Sequence, residues 1–144
     1  MRIFFRILVL AMSLHSGAHA SLGEKATDNG LSSHQIQKST ASSYRVQMTH
    51  FNGREIREYI DQNNVVFAVS WKGRSHPDLS RLLGAHFSEY QNEVTRAQKS
   101  QGRFPKMFKT SHLQVHFFGH MRSVEGYAFE ERLLPADFTM EALK

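Results

Sequence analysis

The sequence predicts an α+β domain: an antiparallel sheet, made of a three-stranded meander plus two C-terminal strands, packed against one long amphipathic helix. Three observations predict it. Residues 44–71 hold three stretches of period-two alternation separated by strong turn signals. Residues 79–97 carry apolar side chains at helical spacing. Residues 113–130 then return to alternation before Leu133-Leu134-Pro135 leaves the sheet. At 144 residues, with 40% hydrophobic and 11% aromatic content, the chain can build one core of its own.

Residues 1–20 stand apart. Met1-Arg2 is a basic start, Ile3 to Leu14 is apolar except for Arg6 and Ser13, and Ala18-His19-Ala20 supplies a small-x-small cleavage pattern. This is the layout of a secretory signal peptide, and the apolar run is too short for a permanent membrane span. No Cys follows Ala20, so a lipoprotein anchor has no attachment point, and cleavage would leave Ser21 first. The expected location is therefore exported, periplasmic or secreted. Residues 21–43 are rich in Ser, Thr, Asn and Gly, and read as a mobile or loosely docked arm. Residues 44–144 form the single domain.

In that domain Tyr44, Val46, Met48 and His50 alternate with Arg45, Gln47 and Thr49, and Asn52-Gly53 closes a tight hairpin. Residues 54–60 and 65–71 supply the next two strands, around a turn at Asp61 to Asn64. The turn lengths place Ile56, Glu58 and Ile60 on one face with Val65, Phe67, Val69 and Trp71. That face is the predicted core. The other, with Arg57, Tyr59, Val66, Ala68 and Ser70, is mixed and open to water. Ser75 is the expected N-cap of the helix, with Pro77 in its first turn and Asp78 reaching back. Gly84 inside the helix costs about 1 kcal/mol relative to Ala, and a close approach by another element is the natural reason for it. Gly119 marks an expected bulge or bend, and residues 138–143 a terminal helical turn.

Charge and composition exclude several classes. Removing residues 1–20 takes Lys+Arg from 18 to 16 against 13 acidic residues, a net charge of +3 rather than +5. The remaining cations are scattered, without the basic face and interleaved aromatics of a nucleic-acid binder. With no cysteine there is no disulfide, thiol nucleophile or thiolate zinc site. No cofactor is expected.

Arg57-Glu58-Tyr59, Val66-Phe67-Ala68-Val69-Ser70-Trp71, Pro77-Asp78-Leu79 and Leu82-Leu83-Gly84 resemble a family of secreted bacterial proteins known as domain of unknown function 2844. Gly119-His120-Met121-Arg122, Gly126 and Leu133-Leu134-Pro135 look like its second signature block, and Leu22-Gly23 also fits. Asn64 stands where that pattern has Gly, and Arg74 where it has Pro. The resemblance implies export and one small domain. It brings no activity and no catalytic residues.

The candidate site residues are Arg57, Glu58, Tyr59, Trp71, His120 and Arg122. Glu58 is the one carboxylate on an apolar face, where desolvation raises its pKa toward that of a general acid or base. His120 and Arg122 follow the Gly119 bend and, with Arg57 and Tyr59, suggest a small anion-recognising cluster. Ser70 and His76 lack a nucleophile elbow and the rest of a triad. His112, His116 and His120 recur every four residues; on a strand His112 and His116 lie about 13 Å apart, too far for one metal without help from another strand. The leading expectation is a non-catalytic binding or accessory module of the cell envelope, acting on another envelope protein or a small ligand. A small hydrolase or isomerase using Glu58 and His120, or a periplasmic metal carrier using the three histidines, are the alternatives.

Overall fold

The turn chemistry and alternation of residues 44–73 build the sheet. In a computed structural model describing residues 21–26, 35–37, 43–101, 106–120 and 122–143, β1 (Gln35–Gln37), β2 (Tyr44–Phe51), β3 (Arg54–Asp61) and β4 (Val66–Gly73) run as successive antiparallel neighbours. Asn52 and Gly53, with φ of 50° and 70°, close the β2–β3 turn. Asp61 closes the next one by accepting the backbone N–H groups of Asn63 (2.9 Å) and Val65 (2.8 Å), and Asn64 takes φ 66° there. Asn tolerates the left-handed region that Gly would otherwise supply.

The helical region follows as α1 (Leu79–Leu83), a 3-10 turn (Gly84–His86) and α2 (Phe87–Gln101). Then come β5 (Met107–Lys109), β6 (Leu113–His120) and β7 (Ser123–Glu130). The strands form one antiparallel sheet of seven in the order β1-β2-β3-β4-β7-β6-β5. The α+β architecture is as predicted. The two additional strands, β1 and β5, are three-residue edges too short to leave an alternation signal. The N-cap moves to Asp78, which accepts from Ser80 N (3.1 Å) and Arg81 N (3.4 Å), so Ser75 does not start the helix. The helix also breaks at Gly84, which adopts φ 50°, ψ −123°.

Both faces of the sheet are apolar. The helix-side core contains Ile60, Val66, Val69, Trp71, Leu82, Leu83, Tyr90, Leu113, Val115 and Ala128. The opposite core contains Tyr59, Phe67, Ala68, Phe129 and Leu143, with Tyr44, Leu134 and Phe138 packed against it. The expected wet face is therefore covered by the C-terminal segment. A bulge adds one more ring to that face: Tyr59 pairs with Ala68 and Ile60 with Val66, leaving Phe67 as the extra residue. Phe67 turns to the Tyr59 side, where Phe138 meets its ring edge-on at 4.9 Å, and Val66 takes the helix side instead.

Residues 21–26 are docked where a loose arm was expected. Leu22 is 1% exposed, and its N–H donates to Leu82 O (2.9 Å), satisfying a carbonyl left over at the end of α1. Gly23 N donates to Val66 O, Val66 N to Glu24 O and Ala26 N to Asn64 O, while the Asn64 side chain holds Ala26 O. Residues 1–20, the expected signal peptide, lie outside the described residues, as does much of the segment from 27 to 42.

Candidate functional site

The alternation of β6 puts Leu113, Val115 and Phe117 on the helix side, with Phe117 partly buried against the core. Trp71 lies beside it at 5.6 Å between ring centroids, on the glycine of β7 that pairs with both. A Cβ at Gly126 would sit 2.4 Å from the indole, so only glycine lets the ring lie flat against β7. Tyr90 of α2 faces Phe117 at 6.3 Å and Phe108 of β5 at 5.2 Å. Burial pushes the Tyr90 phenol up to about 12, so it stays protonated.

Above this aromatic floor the β6–β7 hairpin and the start of the helical region stand apart. The gap is a cleft of about 500 Å³. Leu79, Tyr90, Phe117 and Val124 form its inner walls, and the exposed His76, Lys106, Phe118 and His120 form its rim, with Gly119, Ser123 and Glu125 along the hairpin side. The Glu125 charge is already engaged: Lys72 Nζ lies 3.1 Å away and Ser123 Oγ donates at 3.0 Å, which holds its carboxyl below the usual range. Lys106 meets no carboxylate among the described residues.

The structure disperses the six residues singled out from sequence. His120 is at the cleft. Trp71 lies under its floor, 3% exposed, with its indole N–H unpartnered. Arg57 and Tyr59 face the opposite side of the sheet. There Arg57 pairs with Glu55 at 2.6 Å, and the Tyr59 hydroxyl donates to Ala142 O at 2.5 Å, pinning the C-terminal segment. Arg122 is exposed in the hairpin turn with φ 72°, and does not line the cleft. Gly119 introduces no register shift, since β6 and β7 stay paired through His120 and Ser123, and it takes a φ of 120° there.

Glu58 is 3% exposed on the helix side, flanked by Gln47 of β2 and Val69 of β4. Burial raises its pKa to about 7, opposed in part by the Arg45 charge. It makes no hydrogen bond or ion pair among the described residues and does not line the cleft. Three strand steps and five residues of offset separate it from His120, roughly 20 Å by ordinary strand spacings. The two are not placed to share a substrate. Ser70 and His76 are also split: Ser70 lies by Tyr59, and His76 packs on Phe117 at 5.8 Å.

His116 and His120 lie on β6, and His112 just before it. His116 stacks on Tyr127 at 4.6 Å, and burial lowers its pKa. Among the described residues no three His, Asp or Glu side chains converge closely enough to hold a metal. None is long and apolar enough, among the described helices, to cross a membrane.

Sequence reasoning missed the cleft because its walls come from residues 76–90 and 106–125, which nothing in the chain marks as neighbours. The only available signal was Phe117-Phe118-Gly119, two aromatics ahead of a positive-φ glycine.

Fold and site thus define a small α+β domain with a preformed cleft at one end of its sheet. The chain belongs to the protein family of unknown function DUF2844, whose family model matches residues 18–143. No curated protein and no solved structure matches it.

Proposed function

We propose that this protein is exported and acts as a non-catalytic binding or accessory module of the cell envelope, with the cleft beside Trp71 as its binding site. One observation carries the reading: a cleft of about 500 Å³ whose inner walls are apolar side chains already fixed by core packing. Ligand sites are typically of this size, largely apolar and largely preformed. The apolar stretch and Ala18-His19-Ala20 support export. The separation of Glu58 from the cleft favours binding over acid–base chemistry.

Two measurements test this. After expression of the full chain in a bacterial host, the exported fraction should contain protein whose intact mass begins at Ser21; full-length protein confined to the cytosol refutes export. In an NMR screen of small organic fragments, shifts should concentrate at Tyr90, Phe117 and Val124. Shifts confined to the opposite sheet face, or none at all, refute the cleft as the binding site.

A further inference from the structure

We propose that the cleft selects a small molecule with an apolar body and a single anionic group, the anion lying at Lys106. The inference rests on the cleft being a binding site, and goes further by assigning the ligand's chemical class.

Charge complementarity above an apolar base assigns this class. Phe117, Leu79 and Val124 can accept only an apolar body without leaving polar groups unpaired, and the Tyr90 ring extends that surface. The charged groups at the opening do not cancel. Glu125 is ion-paired with Lys72 and accepts from Ser123, whereas the Lys106 ammonium has no carboxylate partner among the described residues. His76 and His120, also at the cleft, carry ring nitrogens that can donate hydrogen bonds to an anion. A cationic ligand would meet Lys106 with no free carboxylate to offset the repulsion. A neutral one would gain nothing from the ammonium, which stays hydrated at the exposed rim.

Two dyes sharing one apolar body supply the test: anionic 1-anilinonaphthalene-8-sulfonate and uncharged N-phenyl-1-naphthylamine. Fluorescence titration of the protein as isolated should show the anionic dye binding about tenfold tighter, the range of a charge-assisted contact. Lys106→Met should remove that preference while leaving the neutral dye unchanged; Lys106 is exposed, so the fold should tolerate the change. Leu79→Trp, which fills the cleft, should weaken both dyes. Laurate and 1-naphthoate, added separately as competitors, distinguish an alkyl acid from an aromatic acid. Displacement by either supports the class, and displacement by neither overturns it. Equal binding of the two dyes, unaffected by Lys106→Met, overturns the anion assignment and leaves the cleft intact as a site. Absence of binding by either dye, or binding that Leu79→Trp leaves unchanged, overturns the cleft itself.

Discussion

Gly84→Ala separates two opposite expectations. Helix propensity alone says that Ala in place of a helical glycine stabilises by about 1 kcal/mol. The structure reverses the sign. At φ 50°, ψ −123° the backbone is in a region that L-residues avoid, which costs on the order of 1–3 kcal/mol. An added Cβ would also lie 2.6 Å from Ser21 Oγ and 2.7 Å from Ser21 Cβ, so Ser21, itself 6% exposed, must move. Overpacking of that kind typically costs about 1–3 kcal/mol. Set against the propensity gain, the net loss is roughly 3 kcal/mol. Urea unfolding followed through Trp71, the single tryptophan, should show the midpoint falling by about 1–2 M for a domain of this size. Adding Ser21→Gly in the same chain should recover the steric share and leave the backbone share. A Gly84→Ala midpoint equal to or above wild type would refute the reasoning, and with it the docking of residues 21–26 against the helix break.

Three further outcomes follow from burial and hydrogen bonding. Burial holds the Glu58 carboxyl at about 7 against 4.5 for the free group, so the folded state keeps a proton that the unfolded chain releases. Stability then falls as pH rises from 4.5 to about 7 and levels off above; Glu58→Gln should gain on the order of 2–3 kcal/mol over wild type at about pH 8 and little at about pH 4. A variant less stable than wild type at the higher pH would reveal a partner for the carboxylate. Tyr59→Phe removes the hydroxyl that holds Ala142 O and should cost about 1–2 kcal/mol, with faster proteolysis of the C-terminal segment; unchanged proteolysis would argue against this tether. Leu22→Ala should cost about 2–5 kcal/mol by thermal or urea unfolding, because Leu22 is 1% exposed in the main core. A cost below about 0.5 kcal/mol, the level of a surface site, would mean that the arm is loose after all.

Much of the frame was legible because short-range chemistry determines it. Asn52-Gly53 and the Asp61–Asn64 turn set the meander, and alternation located β2, β3, β4, β6 and most of β7. Strand parity also put Ile56 and Glu58 on one face with Val69 and Trp71, whereas their exact partners, Trp71 for Ile56 and Val69 for Glu58, depend on the register shift at Tyr59–Ile60 that turn length does not give. The same parity failed at Phe67, because a bulge adds one residue to a strand without changing its composition. The expected wet face became a second core because the C-terminal segment packs on it. Of the six candidate site residues, only His120 reaches the cleft rim and only Trp71 lies beneath its floor. Tyr59 is a structural tether instead.

The sequence by itself determined the α+β class, the meander, the position of the helix and the burial of one carboxylate among apolar neighbours. These depend on residues close together in the chain or paired across a short turn. The tertiary structure decided the rest: the arm filling the notch at Gly84, the C-terminal segment closing the second face, and the cleft between residues 76–90 and the β6–β7 hairpin. Each of those joins segments far apart in sequence, and their meeting is set by how two faces of one sheet are filled, which no local pattern encodes.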